Sequence, residues 1–159
     1  MLSSRAGLNV WVFPRAVLAR TLPRLSALEE CHCTYRFASR ALIRNADGLS
    51  LTELGFDYRD GGQCTDTSPR FAVVTTDNVT HVVGGCNKGT IHAALVSGWI
   101  RVRFDLGSTT QTSPPITPGQ QVKNIALVLD QGPETGASAA GGLVVIDNID
   151  INGTLVGKR

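Results

Sequence analysis

Apolar and polar residues alternate with period two along most of this chain. Tyr35, Phe37, Ser39, Ala41 and Ile43 interleave with Arg36, Ala38, Arg40, Leu42 and Arg44, the signature of a half-buried strand. Asn45-Ala46-Asp47-Gly48 is a turn signal. In 51–58 the alternation puts Leu54, Phe56 and Tyr58 on one face, and Arg59-Asp60-Gly61-Gly62 ends the strand. Two short β-branched runs, 71–76 and 79–83, flank Asp77-Asn78, so 71–83 is expected to form one hairpin, closed by Gly84-Gly85. In 99–104, Ile100, Val102 and Phe104 face one way and Trp99, Arg101 and Arg103 the other. A Thr/Ser/Pro/Gly loop over 108–120 precedes a strand at 122–130, where Ile125, Leu127 and Leu129 alternate.

After a loop of small residues over 131–141 comes 142–153, the longest apolar run, closing on Asn152-Gly153. Strict alternation there groups Leu143, Val145, Asp147, Ile149 and Ile151 on one face, and Val144, Ile146, Asn148, Asp150 and Asn152 on the other. Asp147 then sits among apolar side chains and needs backbone or hydroxyl hydrogen bonds, an arginine, or a cation such as calcium. A buried structural anchor is the favoured reading, because few further oxygens are in view for calcium. The strands 122–130 and 142–153 are expected to be antiparallel neighbours.

Seven or eight short strands at regular spacing, with no convincing helix after residue 34, predict an all-β, jelly-roll-like antiparallel β-sandwich over 34–159. Composition agrees: glycine, Ser, Thr, Asp and Asn are frequent, while Lys and Glu are scarce. At 159 residues the chain can bury one core. The first 33 residues fit the pattern poorly and are read as an irregular or partly helical extension, with Pro14 and Pro23 opposing one long helix. A short apolar stretch, 8–13, and scattered arginines match parts of a secretory signal and of an organellar transit peptide; a disordered extension fits equally. Residues 1–40 carry six arginines against Glu29 and Glu30, whereas the remainder is slightly acidic. The body of the domain therefore lacks the basic surface of a nucleic-acid binder. No apolar run approaches the length of a membrane span.

Several segments taken together are similar to a known pattern. Leu51-Thr52-Glu53-Leu54-Gly55-Phe56-Asp57-Tyr58, then Ser68-Pro69-Arg70-Phe71, the Gly98-Trp99 strand and Val145-Ile146-Asp147-Asn148-Ile149-Asp150-Ile151-Asn152-Gly153 resemble a group of poorly characterised secreted bacterial β-sandwich domains. The last segment also resembles the closing strand of carbohydrate-binding-module jelly rolls. The resemblance covers residues 41–157 and implies a noncatalytic, extracytoplasmic domain with no agreed ligand; because Asp147 and Arg70 both belong to the shared pattern, it also makes Arg70 the candidate partner of Asp147.

Cys64 and Cys86 flank the 71–83 hairpin, so their sulfurs are expected within disulfide reach in an oxidising compartment. Cys31-His32-Cys33 lacks the spacing and the second pair of a zinc site. No nucleophile elbow, phosphate loop or dinucleotide fingerprint occurs, and His81 and His92 read as core or surface histidines. Asp57, Asp60, Asp105, Asp130 and Asp147 are available for a carboxylate pair, but spacing selects none. The outward face of Trp99, Arg101 and Arg103 is the best ligand-binding guess: an indole with two guanidinium groups can stack on a sugar ring and hold hydroxyls or an acidic group. The competing reading is an edge strand kept soluble by its arginines. Asn78-Val79-Thr80 and Asn152-Gly153-Thr154 are glycosylation sequons, relevant only in a eukaryotic secretory setting.

The expectation is a noncatalytic binding or adhesion module without a cofactor, extracytoplasmic or secreted, with a saccharide or cell-surface partner. A carboxylate-dependent polysaccharide hydrolase and a ligand-free structural domain are the alternatives.

Overall fold

A computed structural model of the chain describes residues 10–11, 38–94, 96–130 and 144–156. Its strands are β1 (Val10–Trp11), β2 (Ala38–Ile43), β3 (Leu54–Arg59), β4 (Arg70–Thr75), β5 (Thr80–Gly84), β6 (Thr90–Ala93), β7 (Trp99–Phe104), β8 (Thr112–Ser113), β9 (Val122–Asp130), β10 (Ile146–Ile151) and β11 (Thr154–Val156). They form two antiparallel sheets, one ordered β1-β2-β9-β4-β5-β8 and the other β11-β10-β3-β7-β6. This is the expected all-β sandwich, with a single 3-10 turn among the described residues, at Cys86–Lys88. Val10 and Trp11, inside the stretch read as an extension, pair with Ile43 and Leu42 on β2.

The inward residues of both sheets build one core. Leu54, Phe56, Val102, Phe104, Ile149 and Ile151 come from the second sheet, and Ile43, Phe71, Val73, Val83, Ile125 and Leu127 from the first. At its centre Phe71 reaches across to Phe56 and Phe104, with ring centroids 5.7 and 6.1 Å away, while Phe56 and Phe104 lie 5.8 Å apart. The tilted and edge-on approaches are the arrangements that aromatic quadrupoles favour.

The hairpin β4–β5 forms as expected, turning through Asp77 and Asn78, the latter at φ 65°. β6, β8 and β11 escaped the sequence pattern because each is short, and β6 is exposed throughout. Asn152 and Gly153 carry φ values of 53° and 77°, the doubly left-handed geometry of a tight hairpin turn, and join β10 to β11. The Asn152 carboxamide also clasps the approach to β3. Its Oδ1 accepts from the Thr52 and Glu53 amides at 2.7 and 3.2 Å, and its Nδ2 donates to the Ser50 carbonyl at 2.8 Å.

Two expectations are corrected. β9 and β10 are not neighbours: β9 lies between β2 and β4 in one sheet, and β10 lies between β3 and β11 in the other. Both strands bury apolar residues, and a sandwich satisfies both by facing them across the core. The 131–141 segment, read as a loop, lies outside the described residues. The second correction concerns Asp147, which is exposed and not a buried anchor. A β-bulge is the reason. Between the pairs Asp147–Asp57 and Asp150–Gly55, β10 advances one residue more than β3, with Asn148 at φ 46°. Val144 and Ile146 face the core before the bulge; Ile149 and Ile151 face it afterwards. Strict alternation misses this inversion and so misassigns Asp147.

The Cys64–Cys86 disulfide is present, across a separation of 22 residues. Cys86 is fully buried, so the bridge pins the loop before β4 to the core. Gly85 packs directly on the Thr65–Thr67 backbone beside it, where a Cβ would collide with main-chain atoms. Replacing both cysteines by alanine is expected to lower stability by about 3 kcal/mol through the entropy of the opened loop. Urea unfolding of the oxidised wild type and the double variant measures this directly.

Candidate functional site

Core packing fixes what faces outward on the second sheet. Because Leu54, Phe56 and Tyr58 point inward from β3, Gly55, Asp57 and Arg59 point outward. On β7 the inward residues are Ile100, Val102 and Phe104, so Trp99, Arg101 and Arg103 share the outer face, as the sequence pattern predicts. The β3–β7 register then sets Arg59 opposite Trp99, Asp57 opposite Arg101 and Gly55 opposite Arg103. β6 adds the exposed His92 opposite Arg101 and Thr90 opposite Arg103.

Asp57 and Arg101 form a bidentate pair, Nε to Oδ1 at 2.6 Å and Nη2 to Oδ2 at 3.0 Å. Asp57 Oδ2 also accepts from Asn148 Nδ2 at 2.9 Å. The side chains of Arg101 and Asp57 are only 12% and 3% exposed, so this pair lies largely outside water's reach although it sits on an outward face. The hydrogen bond that Arg101 donates to Asp57 makes its guanidinium still harder to deprotonate. It outweighs burial, which acts the other way, and the charges of Asp57, Asp150 and Glu53 add to it. Behind the pair, burial first and the Asp60 charge second push the Tyr58 phenol above its ordinary range.

Arg103 is held more loosely. It contacts Glu53 at 3.1 Å and Asp150 at 3.3 Å, with its side chain 33% exposed. Its Nε and Asp150 Oδ1 are buried without a hydrogen-bond partner. The aliphatic stem of Arg103 crosses Gly55, where a Cβ would stand 3.1 Å from Arg103 Cγ and 2.7 Å from the Val102 carbonyl. Glycine at 55 is what lets Arg103 lie flat on the sheet.

Trp99, Arg101 and Arg103 thus share a face, but they differ in availability. Trp99 is half-buried at one end, Arg101 is committed to Asp57, and Arg103 is partly open. Of the carboxylates that engage the arginines, Asp57 is named from sequence only as one of five available for a carboxylate pair, and Asp150 and Glu53 are not singled out. Asp57 was legible in the β3 alternation, whereas Asp150 was hidden by the bulge. Asp147 bonds locally, accepting from the Asn148 amide at 2.7 Å. Arg70 belongs to the other sheet, and its guanidinium donates to the Thr67 carbonyl at 2.6 Å. Cys31-His32-Cys33 lies outside the described residues. Among the described residues no group of three or more His, Cys, Asp or Glu side chains is placed to hold a metal ion, and no helix is long and apolar enough to cross a membrane.

No family model, curated protein or solved structure matches the chain.

Removing one partner of the Asp57–Arg101 pair strands a buried charge, a loss of about 3 kcal/mol or more. Arg101→Ala and Asp57→Ala are each expected to destabilise by this order, and the double variant by less than their sum. A double-mutant cycle in urea checks the coupling, and strict additivity would exclude it. Arg101→Lys should restore little, because an ammonium lacks the planar fork.

Proposed function

We propose that this domain is a noncatalytic binding or adhesion module that takes a saccharide or a saccharide-bearing cell surface on the outer face of the second sheet. The observation that carries the reading is the graded arginine pair: Arg101 fixed by Asp57, and Arg103 beside it part-exposed and incompletely bonded. Rigid strands hold both, so little ordering entropy is lost on binding. Trp99, at the end of the same row of outward side chains, offers an indole face for stacking on a sugar ring. His92, Thr90 and Glu53 widen the polar surface around Arg103. Hydroxyl-rich ligands suit such a mixture of donors and acceptors.

A binding role fits this face better than hydrolysis. Asp57 and Asp150, its two buried carboxylates, are each bonded to an arginine, an arrangement that holds charge in place instead of presenting an acid and a base across a bond to be cut. Placement outside the cytoplasm is part of the proposal. A buried disulfide supports it, since such bridges persist in oxidising compartments, as does the resemblance to secreted β-sandwich domains.

A glycan array probed with the wild type, Trp99→Ala and Arg103→Ala tests the reading. Binding by the wild type that falls at least tenfold in each variant supports it. Absence of binding by the wild type, or binding untouched by both substitutions, removes this face from consideration.

A further inference from the structure

The charge on the outer face of the second sheet is not what its arginines suggest. Arg59, Arg101 and Arg103 point outward there, but so do Asp57, Asp147 and Asp150, with Glu53 just before β3. Among the described residues of this face the carboxylates therefore outnumber the guanidinium groups. Asp57 takes up the charge of Arg101 in a bidentate, largely buried pair. Arg103 answers to two carboxylates. The Asp150 side chain is 4% exposed, and its Oδ1 has no hydrogen-bond partner, so the Arg103 guanidinium, 3.3 Å from Oδ2, is what compensates its charge. Drawing Arg103 away would leave a buried carboxylate uncompensated. Arg103 is thus committed to Asp150, and Glu53, 3.1 Å from Arg103, remains at the surface as a surplus negative charge.

What a ligand meets here is the open part of that pair, since the side chains of Arg103 and Glu53 are 33% and 32% exposed. A guanidinium only donates hydrogen bonds, and a carboxylate only accepts them. A sugar hydroxyl does both, so it can accept from Arg103 and donate to Glu53 in one place. A ligand carboxylate, as on a uronic acid, only accepts. It would compete with Glu53 and Asp150 for Arg103 and stand beside a like charge. The opposite end of the face offers an anion no better site. Arg59, opposite Trp99, is followed directly by Asp60, both exposed, and the exposed Asp147 lies opposite Asp57.

Distance limits the ligand as much as charge does. Trp99 and Arg103 lie four residues apart on β7. At about 3.3 Å per residue that places them about 13 Å apart along the strand. One sugar ring is shorter than this, so a ring stacked on Trp99 does not reach the Arg103–Glu53 pair. Between them stands Arg101, its side chain 12% exposed and held by Asp57.

We propose that the ligand of this face is an uncharged oligosaccharide lying along β7, stacked on Trp99 at one end and hydroxyl-bonded between Arg103 and Glu53 at the other, and that Glu53 turns acidic sugars away. The proposal rests on the reading of this face as a saccharide site and names the class of saccharide it takes. Glu53 acts by selection: it accepts from a hydroxyl and repels a carboxylate at the same position. The arginines keep the carboxylates of the face in place and do not make it an anion site.

Titration of the full-length protein with uncharged gluco-, manno- and galacto-oligosaccharides, from mono- to hexasaccharides, and with length-matched oligogalacturonides tests this. The wild type is expected to bind an uncharged chain about tenfold or more tighter than any acidic chain of the same length. Affinity for that uncharged series is expected to rise about tenfold or more from the monosaccharide to the trisaccharide. Glu53→Gln, at a part-exposed position, keeps an oxygen acceptor and removes the charge, so the ratio of uncharged to acidic binding should narrow about threefold or more. Acidic chains bound as tightly as uncharged ones, or a ratio unmoved in Glu53→Gln, overturn the role of Glu53 and leave the saccharide face standing. A monosaccharide bound as tightly as the trisaccharide overturns the extended ligand. No binding by any of these sugars counts against the saccharide face itself, and this inference falls with it.

Discussion

Phe56, Phe71 and Phe104 meet across the two sheets, and most of the molecule follows from that contact. Each ring fixes the inward phase of its strand, and a strand with one phase fixed has its opposite face fixed as well. Phe56 sends Asp57 outward and Phe104 sends Arg103 outward, so the aromatic core and the charged outer face are two consequences of one register. A slip by one residue between β3 and β7 would place arginine and aspartate in the core. The cost of burying unpaired charge excludes that alternative more firmly than apolar packing alone does.

The bulge in β10 is where the two faces are reconciled. Residues 145–151 offer more apolar side chains than one face of an unbroken strand can bury, together with three acidic or amide groups that need partners. One extra residue at Asn148 lets Val144 and Ile146 and then Ile149 and Ile151 share the core. It brings Asp150 under Arg103 and the Asn148 amide onto Asp57. Asn148 suits the site twice over, since asparagine tolerates a positive φ and its side chain adds a third donor to Asp57.

Much of this was legible in the sequence. Period-two alternation placed β2, β3, β7, β9 and β10, the turn residues placed the β4–β5 hairpin, and flanking positions paired Cys64 with Cys86. The common face of Trp99, Arg101 and Arg103 followed from alternation alone. What stayed hidden had local causes. β6 and β11 are too short to show a period, and the pairing of β10 with β3 joins residues about a hundred positions apart. A bulge breaks the rule by which faces are read, so Asp147 was taken for the buried carboxylate when Asp57 and Asp150 hold that place.

The two arginines illustrate why a shared face is not a shared role. A guanidinium gripped by a bidentate carboxylate has already spent its directional hydrogen bonds, and releasing it would expose a buried charge. Arg101 is in that state, and what it does on this face is tie β7 to β3 through Asp57. Arg103 keeps an unbonded Nε and a third of its surface in water, and Gly55 beneath it leaves room for the side chain to lie flat. One of the two charges is therefore locked in place, and its neighbour on the same face is the one that keeps side-chain surface in water.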